Sequence, residues 1–128
     1  MRSIDAIMAP AEPLHVEPLY NTQVIADRVE ALAGEIAAAM PGDVVVVAIL
    51  KGGFVFAADL IRALHGAGMT PRVDFMTLSS YGVGTRSSGV VRLTRDLSED
   101  VGDRHILIVD DILESGRTLA AARDMMLD

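Results

Sequence analysis

The segment Ile106–Leu119, which reads ILIVDDILESGRTL, decides how this chain folds and where its site lies. A run of aliphatic residues leads into two acids, and a short turn with Ser, Gly and Thr then opens a helical pattern. A strand followed by a helix in this way is typical of an α/β sheet, where ligands bind at the carboxyl ends of the strands. The turn after the strand is therefore where a site is expected.

This turn carries groups that suit a phosphate monoester. Ser115, Gly116 and Thr118 offer backbone N–H groups and hydroxyls at a helix start, where the helix dipole favours an anion. Asp110 and Asp111 stand where the strand meets the turn. Their carboxylates would repel a phosphate unless they accept hydrogen bonds from hydroxyls or help to hold a cation. A ribose diol together with Mg²⁺ meets both conditions.

Residues upstream of this segment predict helices and strands in alternation. Asn21 suits the cap of a helix whose apolar residues recur at one-face spacing before the stop at Pro41. Those apolar residues are Ile25, Val29, Leu32 and Ile36. Val44–Leu50, VVVVAIL, predicts a strand buried on both faces because it is short, apolar and rich in β-branched residues. Residues 54–65 predict a second helix, and its apolar side would carry Phe54, Ala58, Ile61 and His65.

Three further strand patterns, a loop and a helix complete the order. Arg72–Ser79 has apolar residues at both alternations, which predicts a largely buried strand, and the Gly- and Ser-rich residues 80–89 predict a flexible loop. Val90–Arg95 and Arg104–Asp110 predict two more strands, of which the second is buried. The last helix, from Thr118, would bury Leu119, Ala122, Met125 and Met126. This order predicts an α/β domain with a mainly parallel sheet.

Composition and charge narrow the classes of function. The 128 residues suffice for a single domain, 1–128, and not for two. A net charge of −7 argues against a nucleic-acid partner, because such partners are bound by a basic face. The absence of cysteine excludes a disulfide framework, a thiolate metal site and a cysteine nucleophile. No apolar run suits a membrane helix or a signal peptide, so we expect a cytoplasmic location and no membrane partner.

The segment Ile106–Leu119 resembles the phosphoribosyl-pyrophosphate signature of type I phosphoribosyltransferases. That signature is an apolar strand, two acids, two apolar residues, a further acid and then Ser/Thr-Gly-x-Thr. Three other stretches resemble the hypoxanthine-guanine branch of the family, namely LKGG at 50–53, DFMTLSSYG at 74–82 and SSGVVRLTRDL at 87–97. The resemblance covers residues 20–128 and implies the type I fold without the C-terminal part of its sheet.

The resemblance implies a Mg²⁺-dependent transferase of purine salvage, which moves the phosphoribosyl group of phosphoribosyl pyrophosphate onto hypoxanthine or guanine. Asp110 and Asp111 would hold the ribose hydroxyls with Mg²⁺ nearby. Glu114 would be the general base close to purine N7. The 5-phosphate would be wrapped by four residues, Ser115, Gly116, Arg117 and Thr118.

The family pattern also implies a pyrophosphate loop and a lid. Lys51 and Gly52 would contact the pyrophosphate, and the Leu50–Lys51 peptide is cis in several relatives. Ser80 and Tyr81 would belong to the flexible loop that closes over the reacting centre. The implied partners are phosphoribosyl pyrophosphate, the purine base and further copies of this chain in a dimer or tetramer.

The segments with which this family recognises the purine follow the signature helix, and we expect them to be missing from a chain that stops at Asp128. Such a chain would be a fragment or truncated gene product, one part of a longer chain, or a protein completed by another subunit. We expect it to bind ribose phosphate with little turnover. Three other functions stay open. They are a transferase that prefers xanthine, an RNA-binding regulatory relative, which the net charge disfavours, and a non-catalytic remnant that serves as an oligomer partner.

Overall fold

The computed structural model describes residues 15–80, 91–96, 102–113 and 116–127. The helices in these ranges are α1 (Thr22–Ala39), α2 (Phe54–Gly66) and α3 (Arg117–Leu127). The strands are β1 (Val44–Leu50), β2 (Arg72–Ser80), β3 (Val91–Asp96) and β4 (His105–Val109). Each helix and strand predicted from the sequence is confirmed. The predicted loop at 80–89 lies outside the described residues, except for Ser80 at the end of β2.

The four described strands form one sheet in the order β3-β2-β1-β4. The central strand β1 pairs in parallel with both β2 and β4, and β3 runs antiparallel to β2. The predicted α/β class with a mainly parallel sheet is therefore confirmed. The register places Ala48 beside Val109, so the turns that follow β1 and β4 leave the sheet side by side at its carboxyl edge.

Two apolar layers enclose β1. On one face Val46 and Ala48 pack against Ala33 of α1 and against α2, and on the other face Val45, Val47 and Ile49 pack with Met76 and Ala122. Burial of β1 on both faces is confirmed, since its residues from Val44 to Ile49 are at most 1% exposed. The apolar side predicted for α3 is also confirmed, because Leu119, Ala122, Met125 and Met126 all pack in the second layer.

Residues at both ends of α1 explain where this helix begins and ends. The Asn21 side chain accepts a hydrogen bond from the Val24 N–H at 2.9 Å, as its capping role predicted. Beyond the other end, Gly42 has a φ of +102°, a conformation that disfavours any residue with a Cβ. The predicted apolar face is correct except at Ile25, which is 54% exposed. A groove opens between α1 and α2 at that point and leaves Ile25 uncovered.

The apolar side predicted for α2 is correct at Ile61, which packs against the first apolar layer, and wrong at both of its ends. The helix buries Ala57, Leu60 and Leu64, whereas Phe54 is 57% exposed and His65 lies in solvent. Apolar residues occur on nearly every side of this helix, so periodicity alone does not fix the side that packs.

Two strands are less buried than predicted. In β2, Asp74 and Met76 are buried, but Val73 and Phe75 on the opposite face are 37% and 42% exposed. In β4, His105 is exposed and Val109 is the one fully buried residue. Helix α2 lies over β1 and leaves part of β2 uncovered, and β4 is an edge strand of the described sheet. Among the described helices, none has both the length and the apolar character needed to cross a membrane.

Candidate active site

A cavity of about 430 Å³ opens at the carboxyl edge of the sheet, between the turn after β1 and the turn after β4. It brings together most of the described residues that the sequence assigned to a site, which are Lys51, Gly52, Asp110, Asp111, Gly116, Arg117 and Thr118. Ser80 is the last residue of β2, at the same edge of the sheet. Tyr81, Glu114 and Ser115 lie outside the described residues.

The turn after β1 runs very close to β4. The Leu50–Lys51 peptide is cis, in agreement with the family pattern. The Gly53 N–H donates to the Ile49 carbonyl at 3.0 Å. A Cβ on Gly53 would lie 2.8 Å from that carbonyl oxygen and 3.1 Å from the Val109 carbonyl oxygen, and neither backbone atom is free to move aside. The sequence pattern places Gly53 with Gly52 in the pyrophosphate loop, but it does not predict this close approach, because the approach depends on strand register.

The two acids are held by backbone hydrogen bonds. The Asp111 N–H donates to Asp110 Oδ1 at 2.8 Å, and the Ile112 N–H donates to Asp111 Oδ1 at 2.9 Å. No Lys, Arg or His within the described ranges forms an ion pair with either carboxylate. Burial raises the pKa of the Asp110 carboxyl above 3.8, and the adjacent Asp111 carboxylate raises it too, against the opposing effect of the Asp111 N–H. Among the described residues, no ion pair therefore compensates this negative charge.

The start of α3 lines the same cavity and has the features that suit an anion. Gly116 has a φ of +76°, and its carbonyl accepts the Ala120 N–H at 2.9 Å as the helix begins. The N–H groups in the first turn of an α-helix have no acceptor within the helix, and the dipole places positive charge there. Arg117 and Thr118 of this turn line the cavity. A phosphate group suits this wall.

Asp110 and Asp111 would bind Mg²⁺ only together with oxygen atoms of a bound substrate. Mg²⁺ is usually held by one or two carboxylates, several waters and the phosphate groups of a substrate. Within the part of the chain that the structure describes, no group of three or more His, Cys, Asp or Glu residues lies close enough to hold a metal ion. Asp110 and Asp111 supply the carboxylates that such a site needs, and a diol or pyrophosphate would supply the rest.

Comparison with known proteins gives a consistent result. The family model described as "Phosphoribosyl transferase domain" matches residues 15–128. The hypoxanthine-guanine phosphoribosyltransferase of Aquifex aeolicus is 40% identical over 111 residues, which are 85% of this chain and 61% of that protein.

Solved structures agree with these sequence relatives. The crystal structure of L. donovani hypoxanthine-guanine phosphoribosyl transferase has a TM-score of 0.74 at 35% identity, and the match covers 87% of this chain and 67% of that one. Hypoxanthine phosphoribosyltransferase from Trypanosoma cruzi, in complex with the product IMP, has a TM-score of 0.76 at 33% identity, and the match covers 92% of this chain and 67% of that one. The chain spans 61–63% of the length of the curated relatives from Aquifex aeolicus and Mycobacterium avium.

Proposed function

Because this chain belongs to the phosphoribosyl transferase family, we propose that it transfers the 5-phosphoribosyl group of phosphoribosyl pyrophosphate to hypoxanthine or guanine. The products are IMP or GMP together with pyrophosphate, as in purine salvage. The observation that carries the proposal is the cavity where the Lys51–Gly52 turn, the two acids and the start of α3 meet. The names of the relatives, including the Aquifex aeolicus protein, support the choice of base.

The sugar phosphate fits along the turn after β4. The ribose hydroxyls donate to Asp110 and Asp111, whose second oxygens are not engaged by the backbone bonds seen between residues 110 and 112. The 5-phosphate lies at the start of α3, where Ser115, Gly116, Arg117 and Thr118 surround it. Hydrogen bonds to a charged partner contribute about 1.5–3 kcal/mol each, so this turn would supply much of the affinity for the donor substrate.

The pyrophosphate group binds at the turn after β1. Lys51 supplies an exposed ammonium group, and the Gly52 backbone supplies an N–H beside it. Both line the same cavity as the first turn of α3. The substrate is thereby held at its 5-phosphate and at its leaving group, which fixes C1 between them. Such two-point positioning is a large contribution to catalysis when the reacting atoms must be in line.

In the reaction, a purine ring nitrogen forms a bond to C1 of the ribose as the bond from C1 to the pyrophosphate oxygen breaks. The pyrophosphate leaves with that electron pair. The purine loses one proton, and Glu114, which stands near purine N7 in the family pattern, accepts it. Asp110 and Asp111 would hold Mg²⁺, which would supply positive charge to stabilise the departing pyrophosphate. The protein's own contribution is positioning and electrostatic stabilisation.

Location and assembly are proposed on the family resemblance. The protein works in the cytoplasm, and it forms a homo-oligomer, a dimer or a tetramer. Exposed apolar side chains at the start of α2 support an oligomer, because Phe54 and Val55 are 57% and 61% exposed. Clusters of such residues often mark contacts between proteins. Light scattering on the purified chain tests this assembly directly.

The activity is tested by incubating the chain with phosphoribosyl pyrophosphate, Mg²⁺ and one base at a time. The bases are hypoxanthine, guanine, xanthine and uracil, and the nucleoside monophosphates are separated and counted. We expect IMP and GMP and no product from uracil. XMP as the main product would assign the xanthine preference, and no nucleotide from any base would contradict the proposal. Calorimetric titration with phosphoribosyl pyrophosphate then shows whether donor binding survives without turnover.

A further inference from the structure

The Asp111 carboxylate lies directly against the Cα atom of Gly52. A Cβ placed on Gly52 would be 2.7 Å from Asp111 Cγ and 3.0 Å from Asp111 Oδ1, and it would be closer still to Oδ2. Real Cβ atoms essentially never approach other heavy atoms within 3.0 Å. The carboxylate thus occupies the space that a side chain at position 52 would need.

The sheet places the backbone of Asp111 beside the turn after β1. Val109 pairs with Ala48, so the second residue after β4 and the turn after β1 leave the sheet at the same level. The Ile112 N–H donates to Asp111 Oδ1 at 2.9 Å and sets the rotation of the carboxyl group. Oδ2, the oxygen nearest the position of a Cβ on Gly52, is therefore held against the turn.

Asp110 has a different environment, although it is the adjacent residue. Its Oδ1 accepts the Asp111 N–H at 2.8 Å, within its own turn. Its side chain is half-buried, whereas Asp111 is exposed to the cavity. At Gly52, the three closest contacts of an added Cβ are all with Asp111. Asp110 approaches the turn after β1 through its backbone, since its Cα atom would lie 3.2 Å from a Cβ on Gly53, whereas Asp111 approaches it through its carboxylate.

We infer that Asp111 is a positioning residue for the pyrophosphate loop: its carboxylate packs in place of a side chain at Gly52 and sets the position of the Lys51–Gly52 backbone. The inference rests on the proposed function, since it takes pyrophosphate to be the ligand of that loop. A side chain at position 52 would have to displace this carboxylate. The ribose turn and the pyrophosphate loop are consequently coupled through one side chain.

The test is a double-mutant cycle with Gly52→Ala, Asp111→Ala and the double variant. The added methyl group displaces the carboxylate, so Gly52→Ala alone should lower both the urea midpoint of unfolding and the affinity for inorganic pyrophosphate, the latter by about tenfold or more. In the Asp111→Ala background the same methyl group enters vacated space. There the substitution should change pyrophosphate affinity less than about twofold. If the fold-changes in pyrophosphate affinity of the two single variants simply multiply in the double variant, the inference is overturned.

A conservative variant separates positioning from ribose binding. Asp111→Asn keeps the shape that packs on Gly52, so in the absence of Mg²⁺ it should bind pyrophosphate at least as tightly as the wild type, while its affinity for ribose 5-phosphate falls. A loss of pyrophosphate affinity as large as that of Asp111→Ala would contradict a packing role. Gly34→Ala and Asp124→Ala are matched controls outside the cavity, because a Cβ on Gly34 meets no atom within 4 Å and Asp124 is an exposed residue of α3.

The outcomes distinguish this inference from the proposed function. A wild-type chain that binds ribose 5-phosphate and pyrophosphate, with a Gly52→Ala variant of unchanged pyrophosphate affinity, overturns the positioning role and leaves the transferase assignment intact. A wild-type chain that calorimetry shows to bind neither ligand overturns both. Non-additive affinities in the cycle support both.

Discussion

Carboxylates have different partners at the two ends of the parallel strands, which are the amino edge of the sheet, where β1 and β4 begin, and the carboxyl edge, where they end. At the amino edge, Asp43 Oδ2 lies 3.1 Å from Arg104 Nε and its Oδ1 lies 3.9 Å from Arg72 Nε. The Asp43 carbonyl also accepts the His105 N–H at 3.2 Å. This carboxylate ties β1 to the strands on both sides and is balanced by two arginines.

At the carboxyl edge, two adjacent carboxylates have no such partners among the described residues. Asp110 and Asp111 accept backbone N–H groups and line a cavity, with Lys51 and Arg117 elsewhere on its walls. Adjacent charges of one sign without a cation between them lower the stability of the folded state. The carboxylate at the amino edge therefore stabilises the sheet, whereas the two carboxylates at the carboxyl edge are free to interact with a ligand. Four predictions test this contrast, from the largest expected effect to the smallest.

The largest effect is expected when the uncompensated acids are removed. The double variant Asp110→Ala/Asp111→Ala should lose at least about a hundredfold in affinity for phosphoribosyl pyrophosphate, since two hydrogen bonds to charged groups contribute about 1.5–3 kcal/mol each. Calorimetric titration in the presence of Mg²⁺ measures it. The matched control, Asp59→Ala/Asp124→Ala, changes net charge equally on exposed helix positions and should bind as the wild type does. An equal loss in both double variants would mean that only net charge matters.

The next effect concerns the close contact between the two turns of the site. Gly53→Ala places a methyl group against the backbone of Ile49 and Val109, at 2.8 and 3.1 Å, and should lower the free energy of unfolding by about 1–3 kcal/mol. Gly34→Ala is the control, because its Cβ meets open space in α1 and should raise stability by about 0.5–1 kcal/mol. Urea unfolding at neutral pH measures both. Two variants of equal stability would show that the turns are not held this closely.

A smaller effect is expected at the amino edge. Asp43→Ala removes the anion between Arg72 and Arg104, but these side chains are partly exposed, so the free energy of unfolding should fall by only about 0.5–1 kcal/mol. Affinity for ribose 5-phosphate should not change, because the site lies at the opposite edge. Urea unfolding and calorimetry on the same preparation separate the two quantities. A variant that keeps its stability and loses ligand affinity would reverse the assignment of the two edges.

The sequence predicts much of this arrangement, and its failures have physical causes. Ile106–Leu119 predicts the strand, the acids and the helix start because each is a local pattern, and Val44–Leu50 predicts a strand buried on both faces by its unbroken apolar character. The apolar side predicted for α2 is wrong at Phe54 and His65, since a helix that is apolar on most sides can pack on any of them. The exposure of Phe75 depends on which strand α2 covers, a property of the whole assembly. The contact of Gly52 with Asp111 depends on strand register, which no single segment encodes.

The smallest effect is a pH dependence that belongs to Asp110. Burial, together with the adjacent Asp111 carboxylate, holds its pKa in the folded protein above the ordinary value of 3.8. The folded chain therefore binds this proton more tightly than the unfolded chain does. As the pH rises from about 3.8 through the raised pKa, that proton is lost and the folded state loses stability; above this window the penalty is constant. Asp110→Asn removes the penalty, because an amide carries no charge and its oxygen still accepts the Asp111 N–H.

The stability of Asp110→Asn relative to the wild type should therefore increase as the pH rises above 3.8 and then level off. Urea unfolding of both proteins across this range measures the difference, and the contributions of the other acids cancel because both chains share them. Asp124→Asn is the matched control, since its exposed carboxylate lies 3.1 Å from Arg123. An advantage of Asp110→Asn that grew toward acid would require a lowered pKa at Asp110. In that case a compensating cation would have to lie beside the acids, and the two edges of the sheet would no longer differ.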